Sequence, residues 1–275
     1  MSRGARRTGD GERAGTVPGP RRAGGAGAPE EGAPGAGGPG GGVGTGFLAP
    51  GRKARIDEVV AQRTRSLVVV MEAFCDPQNV NAVLRTCDAF GVQEIHVVEG
   101  PMKPYDRNKK ISQNADKWLD VVRWTGTGEC LRALRARGYA VYATHLGEGS
   151  VGLRDLSFAG KVALVFGNES RGVSEEALAL ADARYAIPMR GFSQSLNVSV
   201  AGAVSLAHAV ERRLAERGRH GDLADDEARA LRERFYVLAV KQRARIAKAT
   251  AAEDRRDRLA MARQAATPGE ARGRR

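Results

Sequence analysis

Cysteine, histidine and aromatic residues are scarce in this 275-residue chain, which holds three Cys, four His and 5% aromatics. Cys75, Cys87 and Cys130 are odd in number and show no C-x-x-C spacing, while His96, His145, His208 and His220 show no paired ligand spacing. A disulfide framework and a zinc site are therefore excluded as expectations, and no metal is expected. No apolar run approaches the roughly 18 residues that a membrane span needs. The opening residues carry arginines but not the apolar stretch of a secretory signal, and their Arg-rich, Gly-rich, Ser-poor character fits a transit peptide poorly. The cytoplasm is the expected location. Large apolar side chains are almost missing from residues 1–46, which hold 17 of the 35 glycines and five of the 11 prolines. Such a segment cannot bury enough surface to offset the entropy of ordering. Residues 1–50 are expected to form a disordered arm. No internal repeat is present.

What remains is unevenly charged. The net charge of +12 divides into +2 for residues 1–46, +3 for 51–66, 0 for 67–210 and +7 for 211–275. A neutral centre between basic flanks points to a polyanionic partner, with nucleic acid the first expectation. Ile56, Val59 and Val60 repeat at helical spacing among Arg and Lys, which predicts a basic helix over 51–66. The apolar run at 67–71 reads as a strand buried on both faces of a parallel sheet. Val80, Val83, Leu84, Cys87 and Phe90 keep a 3.6 period, so 79–90 is predicted as a helix that Gly91 ends. Further strands are predicted at 94–98, 120–124, 139–144, 161–166 and 185–187. Helices are predicted around Leu131 and Leu134, from a Ser174 cap, and over 195–217, 222–248 and 253–264. This β/α alternation implies a largely parallel sheet.

Two G-x-G-x-x-G matches, at Gly35-Gly37-Gly40 and Gly147-Gly149-Gly152, do not make a dinucleotide site. The first is composition alone, and the second leaves only residues 153–160 before the next strand, too few for the crossover helix the fingerprint requires. Asn-x-Ser at Asn168 and Asn197 has no glycosylation meaning without a secretory route.

Three polar clusters resist a packing explanation. The first runs from Asn79 to Thr86, where Asn79 also reads as a helix N-cap and Arg85 as an ordinary solvated residue. The second is Phe166-Gly167-Asn168-Glu169 with Gly172, a strand end entering a polar turn, where ligands of open α/β sheets collect. A plain Gly-rich loop is its bland alternative. The third is Ile187-Pro188-Met189 followed by Ser193, Gln194, Ser195, Leu196, Asn197 and Ser199, and capping accounts for only one of these polar residues.

Together the clusters resemble motifs one, two and three of the SpoU, or TrmH-like, RNA ribose 2'-O-methyltransferases, in order and spacing across 67–210. Asp116-Lys117-Trp118, residues 175–182 and a basic helix at each end are most similar to the branch acting on guanosine 18 of tRNA. The resemblance implies a SPOUT-type α/β fold whose C-terminal part forms a deep trefoil knot, an exception to the rule against threading. It divides the chain into the arm at 1–50, the basic helix at 51–66, the knotted methyltransferase domain at 67–217 and a basic helical extension at 218–275 with a disordered end. It also implies S-adenosylmethionine as cofactor, held by Thr144, Leu164, Gly167, Ile187, Met189 and Leu196, mostly through backbone groups. Asn79, Arg85, Glu169, Ser195 and Asn197 match the catalytic positions, and a homodimer is implied. Arg52, Lys53, Arg55, Arg63, Lys241, Arg243 and Arg245 are expected to hold the tRNA backbone. A methyl transfer to a ribose hydroxyl needs alignment and proton removal, and the 2'-hydroxyl makes RNA the natural substrate. Alternatives are a ribosomal RNA methyltransferase, a catalytically inactive RNA-binding homologue and, more distantly, a dinucleotide oxidoreductase.

Overall fold

The computed structural model describes residues 48–99 and 116–265, with backbone alone at 116, 245–249, 251–254 and 257–265. Most of the expected arm, the side chain of Arg245 and the end of the C-terminal extension lie outside the described residues. Helix α1 (Pro50–Ala61) leads into β1 (Leu67–Glu72), α2 (Pro77–Ala89) and β2 (Glu94–Val98). After a 3-10 turn at Asp116–Trp118 come β3 (Asp120–Trp124), α3 (Thr127–Ala136), β4 (Ala140–Thr144), β5 (Val151–Gly152) and β6 (Val162–Phe166). The chain continues as α4 (Glu175–Leu180), β7 (Ala183–Ala186), α5 (Val198–Arg217) and α6 (Asp225–Ala265).

The seven strands form one sheet in the order β3-β2-β1-β6-β4-β7-β5. Every pairing is parallel, so all strands end on the same edge. β1 lies between β2 and β6, with Val69 opposite both Ile95 and Leu164. Its continuous apolar run follows from that position. Leu67, Val69 and Met71 face one core with Val83, Leu84 and Leu206 of α2 and α5, while Val68 and Val70 face a second core with Leu131, Leu134 and Ala177 of α3 and α4. Each fully buried Leu or Val removes apolar surface from water worth about 1.5–3 kcal/mol.

Local chemistry sets most boundaries and explains the main departures from the sequence reading; β7 begins at Ala183, two residues ahead of the strand expected at 185–187. α2 begins at Pro77, with the Asp76 carboxylate accepting from the Gln78 N–H at 2.8 Å, so Asp76 and not Asn79 is its cap. Asn197 caps α5 by accepting from the Ser199 N–H at 2.8 Å, which leaves Ser195 outside the helix. α1 stops at Ala61 because Thr64 joins the sheet edge, accepting from the Gln93 N–H at 3.0 Å and donating to Gly91 at 2.9 Å. The two-residue β5 was too short to show a period, and the segment after it is one 3-10 turn at Leu153–Asp155 in place of a crossover helix. The two helices expected at 222–248 and 253–264 are one. Residues 249–252, Ala-Thr-Ala-Ala, contain no breaker, and Ala is the strongest helix former.

The basic flanks meet. Ile56 and Val60 of α1 pack with Leu231, Phe235 and Ala239 of α6 in a third cluster, and Trp118 lies edge-on to Phe235 at 5.0 Å. Across this contact Asp57 binds Arg232 at 2.8 Å and accepts from the Tyr236 hydroxyl at 2.9 Å. α1 and α6 therefore form one module beside the sheet.

Candidate active site

A cavity of about 640 Å³ opens at the carboxyl ends of β4, β6 and β7. Thr144, Gly167 and Ala186 mark those strand ends on its wall. Parallel sheets collect ligands at this edge because the loops there are free to diverge. Leu178, Tyr185, Ile187, Met189 and Leu196 give an apolar lining, and Glu169, Ser195 and Asn197 give a polar side. Gly167 is required by close approach: a Cβ there would lie 2.1 Å from the carbonyl carbon of Gly172. Gly172 itself adopts φ +72°, and it exchanges two backbone hydrogen bonds with Asn168 at 2.8 and 2.9 Å. The second polar cluster is thus a closed turn with a structural need for both glycines.

The three clusters meet in one hydrogen-bond chain. Glu169 accepts from the backbone N–H groups of Cys75 at 3.0 Å and Asp76 at 3.2 Å, and from the Asn79 amide at 3.0 Å. Asn79 in turn accepts from the Asn197 amide at 3.1 Å. Asn197 accepts from the Ser199 hydroxyl at 2.6 Å. Partial burial pushes the Glu169 carboxyl up, but the hydrogen bonds from Asn79, Cys75 and Asp76 outweigh it and hold the pKa below its ordinary value. Asn79 is 7% exposed, so its amide must be satisfied, and both ends are.

Asn168 is a structural partner that the sequence reading quoted without assigning a role. Its amide donates to the Ala73 carbonyl at 2.7 Å and contacts the Cys75 sulfur at 3.0 Å, and its oxygen accepts from the Ser170 and Arg171 N–H groups. Ala73 has φ +52°, alone among the described non-glycine residues in that region. Asn168 and Glu169 therefore pin the whole β1–α2 turn from which Asn79 projects. Phe166, quoted in the second cluster without a role, also lines the cavity, as do Leu178, Tyr185 and Val198, which were missed because in sequence they read only as core positions.

Three expected residues need correction or relocation. Leu164 is fully buried in mid-β6 between Val69 and Tyr142 and does not line the cavity. Arg63 is 1% exposed, so it offers no surface to RNA. It ion-pairs with Asp88 of α2 and lies 5.7 Å over the Phe235 ring, joining α2 to α6. Arg85 is exposed on α2 and lies outside the cavity lining. Thr144 lines the cavity, but its hydroxyl donates to the Val165 carbonyl at 3.2 Å. Arg52 and Arg55 on α1 and Lys241 and Arg243 on α6 are exposed, and Lys53 is partly so.

The cavity fits S-adenosylmethionine: its volume is within the range of small-molecule sites, its wall joins an apolar side to a polar one, and the glycine-only approach at 167 brings backbone to its edge. When bound, that group supplies a methyl attached to a sulfonium, open to direct displacement by an oxygen. Among the described residues, no helix is long and apolar enough to cross a membrane.

Comparison with known proteins places this geometry. Over 163 residues the chain is 44% identical to the tRNA (guanosine(18)-2'-O)-methyltransferase of Thermus thermophilus, covering 59% of this chain and 84% of that protein. The Escherichia coli K12 protein of the same name is 38% identical over 164 residues, or 60% and 71% of the two chains. Among solved structures, the A. aeolicus TrmH/SpoU tRNA modifying enzyme superposes with a TM-score of 0.63 at 32% identity, over 69% of this chain and 97% of that one. The AdoMet-bound rRNA methyltransferase of Sinorhizobium meliloti superposes with a TM-score of 0.50 at 28% identity, over 57% and 59%. The model of the SpoU rRNA Methylase family matches residues 66–207, just over half of the chain and all three clusters of the site, and the chain belongs to that family.

Proposed function

We propose that this protein transfers the methyl group of S-adenosylmethionine to the ribose 2'-oxygen of guanosine 18 in tRNA. The observation that carries the reading is the Glu169–Asn79–Asn197 chain, which ties all three clusters into one fixed polar edge beside the cavity. A displacement at a methyl carbon depends on alignment, and rigid hydrogen-bonded side chains reduce the entropy lost in reaching it. Asn79, Glu169, Ser195 and Asn197 hold the ribose edge. Ile187, Met189 and Leu196, with the backbone at Gly167, hold the cofactor. Arg85 binds the adjacent phosphate and stabilises the forming alkoxide, since a guanidinium with pKa above about 12 is a poor base.

Arg85 reaches the reacting atoms across a homodimer. Val200 and Val204, one turn apart on α5, are 46% and 39% exposed and supply an apolar face for the second copy. The segment from β6 to α5 forms the trefoil knot, a reading supported by the parallel order β6-β4-β7. The α1–α6 module grips the tRNA backbone, and the protein acts in the cytoplasm.

The test uses purified protein, S-adenosylmethionine labelled in the methyl group, and an unmodified tRNA transcript. Nuclease digestion and mass spectrometry should locate one 2'-O-methylguanosine at position 18, and a transcript with 2'-deoxyguanosine there should accept none. Labelling of ribosomal RNA instead would move the substrate, and cofactor binding without transfer to any RNA would make the chain an inactive homologue.

A further inference from the structure

We infer that Phe192 is an aromatic platform for a base of the RNA substrate, with Arg190 holding the neighbouring phosphate. The inference rests on the proposed RNA methyl transfer. Phe192 is fully exposed, at 107% of its reference area, and is the only aromatic among the large exposed hydrophobic residues described. It lies in the turn between β7 and α5, three residues from Met189 and three from Ser195, both on the cavity wall. Three residues of chain reach at most about 11 Å, so the backbone of Phe192 lies within that distance of residues on the cavity wall.

The surroundings favour RNA over protein. Phe192 is flanked by Arg190 and by the exposed Ser193, Gln194 and Ser195, and Arg171 is exposed on the β6–α4 turn that also lines the cavity. Among the described residues the guanidinium groups of Arg190 and Arg171 form no ion pair, which leaves a cationic charge two residues from Phe192 and a second on the cavity lining. A lone aromatic in a polar, basic loop matches the wet, cationic character of nucleic-acid interfaces, whereas a protein contact would favour a contiguous apolar patch. Placing a ribose in the cavity requires its base to leave the stack, and splayed bases are commonly received on aromatic faces. Such stacking is sequence-tolerant, so the ring fixes the nucleotide's position and leaves base identity to other contacts.

The experiment compares wild type with Phe192→Ala, Phe192→Leu and Phe192→Tyr, using an unmodified tRNA transcript in steady-state methyl transfer, with cofactor calorimetry and sedimentation velocity alongside. Phe192→Ala and Phe192→Leu should raise KM for tRNA by roughly ten-fold or more, while Phe192→Tyr, which keeps the ring, stays within about two-fold of wild type. Cofactor affinity, thermal midpoint and sedimentation should be unchanged in all three. Full retention in Phe192→Ala, or equal retention by Leu and Tyr, would overturn stacking. A shift of Phe192→Ala toward monomer would assign the ring to a second copy of the chain and also overturn it. A wild-type protein that transfers no methyl to tRNA would instead overturn the underlying functional reading, whatever the variants do.

Discussion

Asn79 donates its side-chain amide to the Glu169 carboxylate at 3.0 Å, across ninety residues of sequence. Asn79 projects from the first turn of α2, and Glu169 from the turn after β6, so the bond exists only because β1 and β6 are adjacent parallel strands ending on one edge. The same carboxylate accepts the Cys75 and Asp76 N–H groups, and it therefore orients the start of α2 as well as the amide.

Glu169→Gln should lower kcat by about 10²-fold, because the replacement amide sets donors against donors and displaces Asn79 by a fraction of an ångström or more. In the native protein the Glu169 pKa is lowered, so the carboxylate is ionised throughout the range from pH 5 to 9 and is lost only as pH falls through the lowered value. The pH–rate profile of wild type should thus show no step from this group above pH 5. Asn79→Asp places a second carboxylate within hydrogen-bond distance, and one of the pair must then retain a proton. Its profile should gain a new pH dependence, whereas an unchanged profile would remove the Asn79–Glu169 bond from the mechanism.

The inner strands β1 and β6 were legible because burial on both sheet faces demands continuous apolar runs, and 94–98 and 120–124 match the observed β2 and β3 to the residue, whereas β7 begins two residues ahead of the expected 185–187 and the two-residue β5 was not expected. The cavity wall was less legible. Tyr185 and Leu178 look like any core residue until the fold turns them toward the strand ends. Asn79 was ambiguous because a polar residue near a helix start serves equally as a cap, and only the Asp76–Pro77 pair one turn earlier resolves it. Arg63 misled because charge count ignores burial, and its position over Phe235 depends on α6, some 170 residues away.

Arg85→Ala should abolish methyl transfer while leaving cofactor affinity nearly unchanged, since Arg85 lies outside the cavity lining and belongs to the RNA side. Calorimetry with S-adenosylmethionine and a tritium-methyl assay separate the two effects. Turnover at the wild-type rate would return Arg85 to an ordinary solvated position on α2.

The α1–α6 module should set the salt dependence of tRNA binding. For every phosphate that the protein no longer neutralises, the slope of log affinity against log salt should flatten by about 0.7–0.9. Replacing Arg52, Lys53 and Arg55 with Ala, or Lys241 and Arg243 with Ala, should do this and raise KM for tRNA. The exposed Arg55–Glu58 pair at 3.0 Å adds little stability, so the first variant should fold normally. Deleting residues 1–46 removes only +2 of charge and should change the slope little. Filter binding at several salt concentrations measures it, and unchanged slopes in both Ala variants would place the RNA surface elsewhere.

The module's attachment to the sheet should be sensitive to acid. Asp222, just before α6, accepts from Arg213 at 2.7 Å and Arg217 at 3.0 Å on α5 and from the Arg65 N–H at 3.1 Å, and it also binds the Ser66 hydroxyl ahead of β1. Arg213 is fully buried and Asp222 is 8% exposed. Burial pushes the Asp222 carboxyl up, but hydrogen bonds from Ser66, Thr64, Arg217 and the Arg65 backbone outweigh it and bring the pKa down to about 2. The folded value lies below the unfolded value of about 3.9, so this stability is complete above roughly pH 5 and is lost as pH falls toward 2. Glu94, also held at about 2 against burial by His96 and Arg137, loses its contribution in the same window. Asp222→Asn leaves the Arg213 charge buried without its counter-ion, which should cost about 3–5 kcal/mol at pH 7. Because the variant has already lost the titrating group, it should lose less further stability than wild type on going from pH 7 to pH 3. Urea denaturation at both pH values measures the four free energies. Equal stabilities at pH 7, or equal acid losses, would show that Asp222 does not anchor the start of α6 to the sheet.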